Sequence, residues 1–219
     1  EQLAAAAGSW DKLFAVFSEI AGGISDERLA REYWMRLAGI SEKLGKIEDA
    51  ANGYKRVLEI DPADGEALAA MDALYQRTER WQDLIEVFRR RIALAQEFTD
   101  REALFSQMAK VYEEKLALPE DAIAAYQEVL REDPTSYVAL TELDGLFTRR
   151  EKWEDLADNL EQQLRYATED EQQIRLMLRL AALRETKMNL LETAIEGYRQ
   201  VLEREPSNEE ALGALERLG

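Results

Sequence analysis

The 219-residue chain contains no cysteine and no histidine. That removes disulfides, thiol nucleophiles, imidazole bases and the usual structural zinc sites, and with them most routes to catalysis. Only 4 prolines and 11 glycines interrupt it, so a chain rich in Ala, Leu, Glu and Arg is left free to form helices. No apolar run approaches the roughly 18 residues needed to cross a bilayer, and the first thirty residues lack the charged-then-apolar layout of a signal peptide. Positive charge is also scarce. Lys and Arg number 28 against 45 Asp and Glu, a net charge of −17. The thirds of the chain divided at residues 72 and 144 carry −6, −6 and −5, so the acidity is not that of a tail. Nucleic-acid affinity rests on Lys and Arg displacing counterions from phosphates. A uniformly acidic surface therefore argues against DNA, RNA and anionic membranes as partners, and it either keeps the chain soluble or favours basic ones.

What is present is a repeat. Tyr54, Val57, Leu58, Pro62 and Leu68 recur as Tyr126, Val129, Leu130, Pro134 and Leu140, and again as Tyr198, Val201, Leu202, Pro206 and Leu212, each copy 72 residues on. Units that cannot bury their apolar faces alone stack on their neighbours, which predicts a solenoid in place of a single-core fold. Each 72-residue unit holds two helix pairs. One kind places small Ala50, Ala122 and Ala194 a helical turn before large Tyr54, Tyr126 and Tyr198, which lets paired helices approach while the ring fills the adjacent gap. The other kind opens its second helix with Trp81 or Trp153, three residues before Leu84 or Leu156. Trp10 and Leu13 repeat that second helix near the start, with Leu3 ahead of them. The spacing assigns the tryptophans to the core. Helix starts are expected at S/T-x-x-E capping boxes, Thr99 with Glu102, Thr168 with Glu171 and Ser207 with Glu210, and Pro119 suits a first helical turn.

The order Trp34, Leu37, Ala38, Gly45, Ala50, Tyr54, Pro62 resembles the tetratricopeptide repeat, with Ala38 in place of its glycine and Ser41 in place of its aromatic. Phe105, Met108, Ala109, Tyr112, Ala122, Tyr126 and Pro134 follow the same pattern with one extra turn residue, and Met177, Leu180, Ala181, Ala194, Tyr198 and Pro206 follow it again. The resemblance implies an all-α, right-handed α-solenoid of stacked antiparallel helix pairs over residues 1–219. The repeats fall at a partial copy over 1–24, full copies near 26–63, 64–98, 99–134, 135–168 and 169–206, and a terminal half copy over 207–219. The last segment presents Ala211, Leu212, Leu215 and Leu218 as an apolar stripe. The chain thus reads as a segment of a longer array, or as one whose final helix turns that stripe inward. Self-association through the ends is a further expectation.

Chemistry-bearing groups do not converge. Arg89, Arg90 and Arg91 point about 100° apart on a helix, as do the carboxylates of Glu113 with Glu114, Glu120 with Asp121, and Glu209 with Glu210. Asp61-Pro62-Ala63-Asp64-Gly65 lacks ligands at alternating positions and reads as a turn, not a calcium loop. With no phosphate loop or nucleophile elbow, the chain reads as a non-enzyme that needs no cofactor or metal.

Tetratricopeptide arrays hold partner proteins, and in them first helices line a groove for an extended peptide or a helix. That geometry implies groove positions at Met35 and Gly39, Ala69 and Ala73, Ser106 and Lys110, Thr141 and Gly145, and Leu178 and Ala182, edged by Arg36 and Arg179. The Lys/Asn carboxylate clamp of chaperone-binding members has only Lys110 to represent it. The asparagine ladder of the glycosyltransferase type is replaced by Arg36, Ala70, Gln107, Glu142 and Arg179. The expected function is a scaffold or adaptor for a protein or peptide partner, basic or amphipathic. The alternatives are a non-catalytic arm of a larger enzyme and a self-associating assembly module.

Overall fold

Twelve α-helices and no strand occur among residues 10–219, which are those that the computed structural model describes. The expectations for Leu3 and for the side chains of Trp10 and Leu13 lie outside the described residues and side chains. Two compact units divide the chain, one ending at Leu104 and the other starting at Phe105. The first contains α1 (Trp10–Gly22), α2 (Glu27–Lys43), α3 (Ile47–Ile60), α4 (Gly65–Arg77) and α5 (Trp81–Leu94). Helix α6 (Phe98–Glu114) contributes to both. The second contains α7 (Pro119–Glu132), α8 (Tyr137–Arg149), α9 (Trp153–Tyr166), α10 (Asp170–Thr186), α11 (Leu191–Arg204) and α12 (Glu209–Leu218). Within each unit the extensively packed helix pairs are all chain neighbours. Neighbour-only packing of helical hairpins is solenoid architecture.

Two kinds of helix start alternate. Four first helices, α2, α4, α8 and α12, are capped by side chains: Asp26 accepts from Leu29 N at 3.0 Å, Asp64 from Ala67 N at 2.8 Å, Ser136 from Ala139 N at 3.1 Å and Asn208 from Ala211 N at 3.0 Å. Each satisfies an amide with no intrahelical partner. Second helices α3, α5, α7, α9 and α11 have no such side-chain bond. Each is instead preceded by a residue in the left-handed region: Gly45 (φ 72°), Glu79 (56°), Ala117 (53°), Glu151 (54°) and Asn189 (55°). The next amide reaches back into the preceding helix, as Lys46 N does to Ser41 O at 2.8 Å and Arg80 N to Tyr75 O at 2.9 Å. This is the Schellman closure. Pro119 takes the first turn of α7 as expected.

The three capping boxes are corrected. Thr99 lies inside α6, Glu169 and not Thr168 precedes α10 without a side-chain bond, and Asn208 and not Ser207 caps α12. In the last case the two adjacent side chains compete for one amide, and Asn208 stands at the same repeat position as Asp64 and Ser136. The Asp-Pro turns appear as read. Asp61 Oδ1 accepts from Ala63 N and Asp133 Oδ1 from Thr135 N, each at 2.9 Å.

The core follows the small-then-large rule. Ala50, Ala122 and Ala194 are wholly buried, as are Tyr54, Tyr126 and Tyr198 to within a few per cent. A Cβ added at Gly53 would lie 2.8 Å from that of Ala38, so only a glycine lets α2 and α3 cross this closely. Trp34 belongs to the core, but Trp81 and Trp153 do not: both are half-buried. Each is the first residue of its helix, directly after the turn. The Lys187 ammonium lies 5.1 Å from the Trp153 ring centroid, a cation–π contact.

Candidate functional site

The first-helix faces are built differently in the two units. In the first, α2 presents Arg36 exposed, with Met35 and Gly39 half-buried, and α4 presents Ala69 and Ala73 exposed one turn apart. In the second, Lys110 and Thr141 are exposed, Ser106, Gly145 and Ala182 half-buried, and the Arg179 side chain is about half exposed. The Ser106 hydroxyl is enclosed beside the Tyr126 phenol, and the Arg149 guanidinium lies over Gly145. Leu178 is a correction. It is buried in a cluster with Ala181, Ala194, Tyr198 and Val201, into which α12 inserts Ala211 and Ala214. Helix α10 is apolar on more than one face, with Leu176, Leu178, Leu180, Ala181 and Leu183 all buried, so a position that faces outward on α4 faces protein here. Leu215 and Leu218 pack against the same cluster while Leu212 stays exposed.

Acid–base pairs tie first helices of successive hairpins together. Glu42 accepts from Arg77 at 3.0 Å, Glu113 from Arg149 at 2.7 Å, and Glu185 from Arg217 at 3.0 Å. Tyr54 donates to Glu42 at 2.9 Å and Tyr198 to Glu185 at 2.7 Å. Burial first, and then the neighbouring carboxylate, pushes both phenols well above the usual tyrosine range. The Tyr198 and Arg217 hydrogen bonds hold Glu185 below the ordinary glutamate value. Asp64 is held low chiefly by Arg31, whose Nε donates at 2.6 Å.

A carboxylate that sequence reading did not single out recurs on the divergent hairpins. Asp72 and Asp144, 72 residues apart, are both buried. Arg91 and Gln76 donate to Asp72. Arg179 grips both oxygens of Asp144 at 2.5 Å, and Gln163 donates to it at 3.2 Å. Arg179 thus joins α10 to α8 and is not a free groove edge. The signal was available as an acidic residue aligned in two repeats amid apolar positions. The Arg89–Arg91 run diverges as expected: Arg89 pairs with Glu86, and Arg91 turns inward to Asp72. Among the described residues no group of three or more Asp or Glu is placed to hold a metal ion.

Stacked hairpins with a capped first helix and exposed small residues along it define a class of helical-repeat interaction scaffolds. Tetratricopeptide-repeat family models match residues 32–64, 67–102 and 102–136. The chain carries tetratricopeptide repeats across residues 32–136, and this family serves protein interaction. No curated protein matches it. Among solved structures, that of Naa15/Naa10 bound to HypK-THB aligns with 98% of this chain and 32% of its own at 15% identity and a TM-score of 0.51. A MamA protein aligns at 18% identity and TM-score 0.43 over 80% of this chain and 92% of its own. YrrB, described as a TPR protein with an unusual peptide-binding site, aligns at 17% and 0.42 over 84% and 91%. At these identities the likeness concerns the fold alone.

Proposed function

We propose that this protein is an adaptor that holds a peptide or helix of a partner protein against its first-helix faces. The observation that carries the reading is the exposed pair Ala69 and Ala73 on α4. Two alanines one turn apart on a solvent face bring a partner backbone close to the helix, so apolar burial supplies affinity while edge charges set orientation. Many edge charges are internally paired, but Arg36 and Lys110 are exposed and carry no ion pair among the described residues. The acidic field steers basic or amphipathic partners. A photo-crosslinking amino acid at Ala73 or Thr141 should give partner adducts, whereas one at exposed Ala124 on second helix α7 should not. Ala73→Arg should weaken capture at least tenfold with an unchanged unfolding midpoint. Equal adducts at all three positions, or capture indifferent to Ala73→Arg, would refute the assignment.

A further inference from the structure

A cleft of about 520 Å³ opens in the second unit, between the turn that joins α8 to α9 and the turn that joins α10 to α11. Trp153 lines the first side and Lys187, Met188 and Leu190 the second. Trp153 and Met188 are half-buried, while Lys187 and Leu190 are exposed, so a second molecule reaches these walls without unpacking the core.

The indole sits among unbalanced charge. The Lys187 ammonium over its ring makes no hydrogen bond or ion pair among the described residues. The chain thus places its own cation on a ring face whose quadrupole attracts one. The other lysine of the cleft, Lys152, is spent on Glu120, outside it, at 2.6 Å. Three exposed carboxylates of the lining, Glu151, Glu154 and Asp155, have no ion pair among the described residues. Glu154 and Asp155 also suit the start of α9, but the cation already on Trp153 is a separate sign of what the cleft attracts.

The first unit shows which cation completes such a turn. There Arg80, the counterpart of Lys152, spans Glu48 at 2.6 Å and Asp83 at 2.8 Å, with its guanidinium 5.1 Å from the Tyr75 ring centroid. Lys152 meets Glu120, the counterpart of Glu48, and leaves Asp155 without the fork that holds Asp83. An ammonium is a point charge, whereas a guanidinium is planar, weakly hydrated and able to bridge carboxylates while stacking on a ring. We propose that this turn-edge cleft is a docking site for an arginine-bearing basic segment of a partner protein. Its guanidinium takes the Trp153 face from Lys187 and bridges to Asp155 or Glu154, and an apolar neighbour of that arginine covers Leu190. Lys187 is then a placeholder that competes with the partner. The site shares no residue with the first-helix faces.

The test is a blocked peptide alternating arginine and leucine, titrated into the full chain beside a version with citrulline for arginine, with the Trp153 indole N–H followed by NMR. The arginine peptide should shift that resonance, and the uncharged one should bind about tenfold more weakly. Lys187→Ala clears the ring and should tighten binding about threefold; Lys55→Ala, which removes the same charge from exposed α3 surface, should not. Trp153→Leu should weaken binding about fivefold. Glu154→Gln/Asp155→Asn should do the same, and it changes only exposed side chains, which keeps the test valid if Trp153→Leu lowers the unfolding midpoint. Ala73→Arg should leave binding unchanged, so this site and the first-helix face stand or fall separately. The proposal is overturned if Lys187→Ala and Lys55→Ala act alike, if the citrulline peptide binds as well as the arginine one, or if the Trp81 indole shifts as much as that of Trp153, each of which marks general attraction to an acidic surface.

Discussion

Glu79, Ala117, Glu151 and Asn189 hold φ values between 53° and 56°, in the region that Gly45 occupies at 72°. A side chain there costs about 1–2 kcal/mol against the following carbonyl, less for asparagine, which tolerates it. Glu79→Gly and Glu151→Gly should therefore raise stability by up to about 1 kcal/mol, read as a higher urea midpoint at constant slope, and Gly45→Ala should lower it. Titration belongs to the same scale. Asp64 and Glu185 have folded pKa values depressed by Arg31 and by Tyr198 with Arg217. Their contribution is full above the unfolded carboxylate values of about 4 and is lost as pH falls from there through the folded values. The urea midpoint should drop across that window, and Arg31→Met should flatten the drop. These residue-level facts were partly legible. The 72-residue alignment of Asp64, Ser136 and Asn208 marks three true caps, but the S/T-x-x-E pattern pointed one or more positions away. A local motif cannot tell which of two adjacent polar side chains reaches the free amide.

At the scale of helices, the close crossing of α2 and α3 at Gly53 and the burial of Ala50, Ala122 and Ala194 make interhelical distance the tightly specified quantity. Ala122→Leu should cost about 1–3 kcal/mol by overpacking. Phe88 is 1% exposed, and Phe88→Ala should cost about 3–5 kcal/mol. Trp81→Ala should cost clearly less, because that indole is only half-buried at the start of α5. Thermal and urea unfolding of the pair decides it; equal losses would return Trp81 to the core. The recurring tryptophan was visible in sequence, yet its burial was not. Spacing gives the face of a helix, but not how much of that face is covered. Leu178 teaches the converse, since its counterparts are exposed at Ala69 and Thr141 and half-buried at Met35 and Ser106, whereas the cluster beneath α12 encloses it.

For the molecule as a whole, charge governs association. With a sequence pI near 4.6, light scattering should show a solubility minimum at about that pH and little aggregation at neutrality. Duplex DNA and anionic vesicles should fail to bind at moderate salt, because the net charge of −17 repels phosphate; retardation in a gel, or co-flotation with vesicles, would contradict this. The uniform acidity conceals local exceptions. Sequence reading assigned Arg90 to a solvated run, and α5 does separate it from Arg89 and Arg91. It could not show which carboxylates are already paired, as Asp83 is with Arg80 and Asp155 is not, nor that the Lys187 ammonium lies over the Trp153 ring.

The repeat itself, its helical periodicity, the small-then-large packing rule and the family were determined by the sequence, because a 72-residue recurrence of apolar positions has few other physical solutions. Tertiary structure alone decided which aligned positions are open, as with Ala69 against Leu178, and which charges are spent on internal pairs, as with Arg179 on Asp144. The reason is that burial and ion pairing depend on what the neighbouring hairpin presents, and successive hairpins, though alike in core pattern, differ in the side chains they turn toward one another.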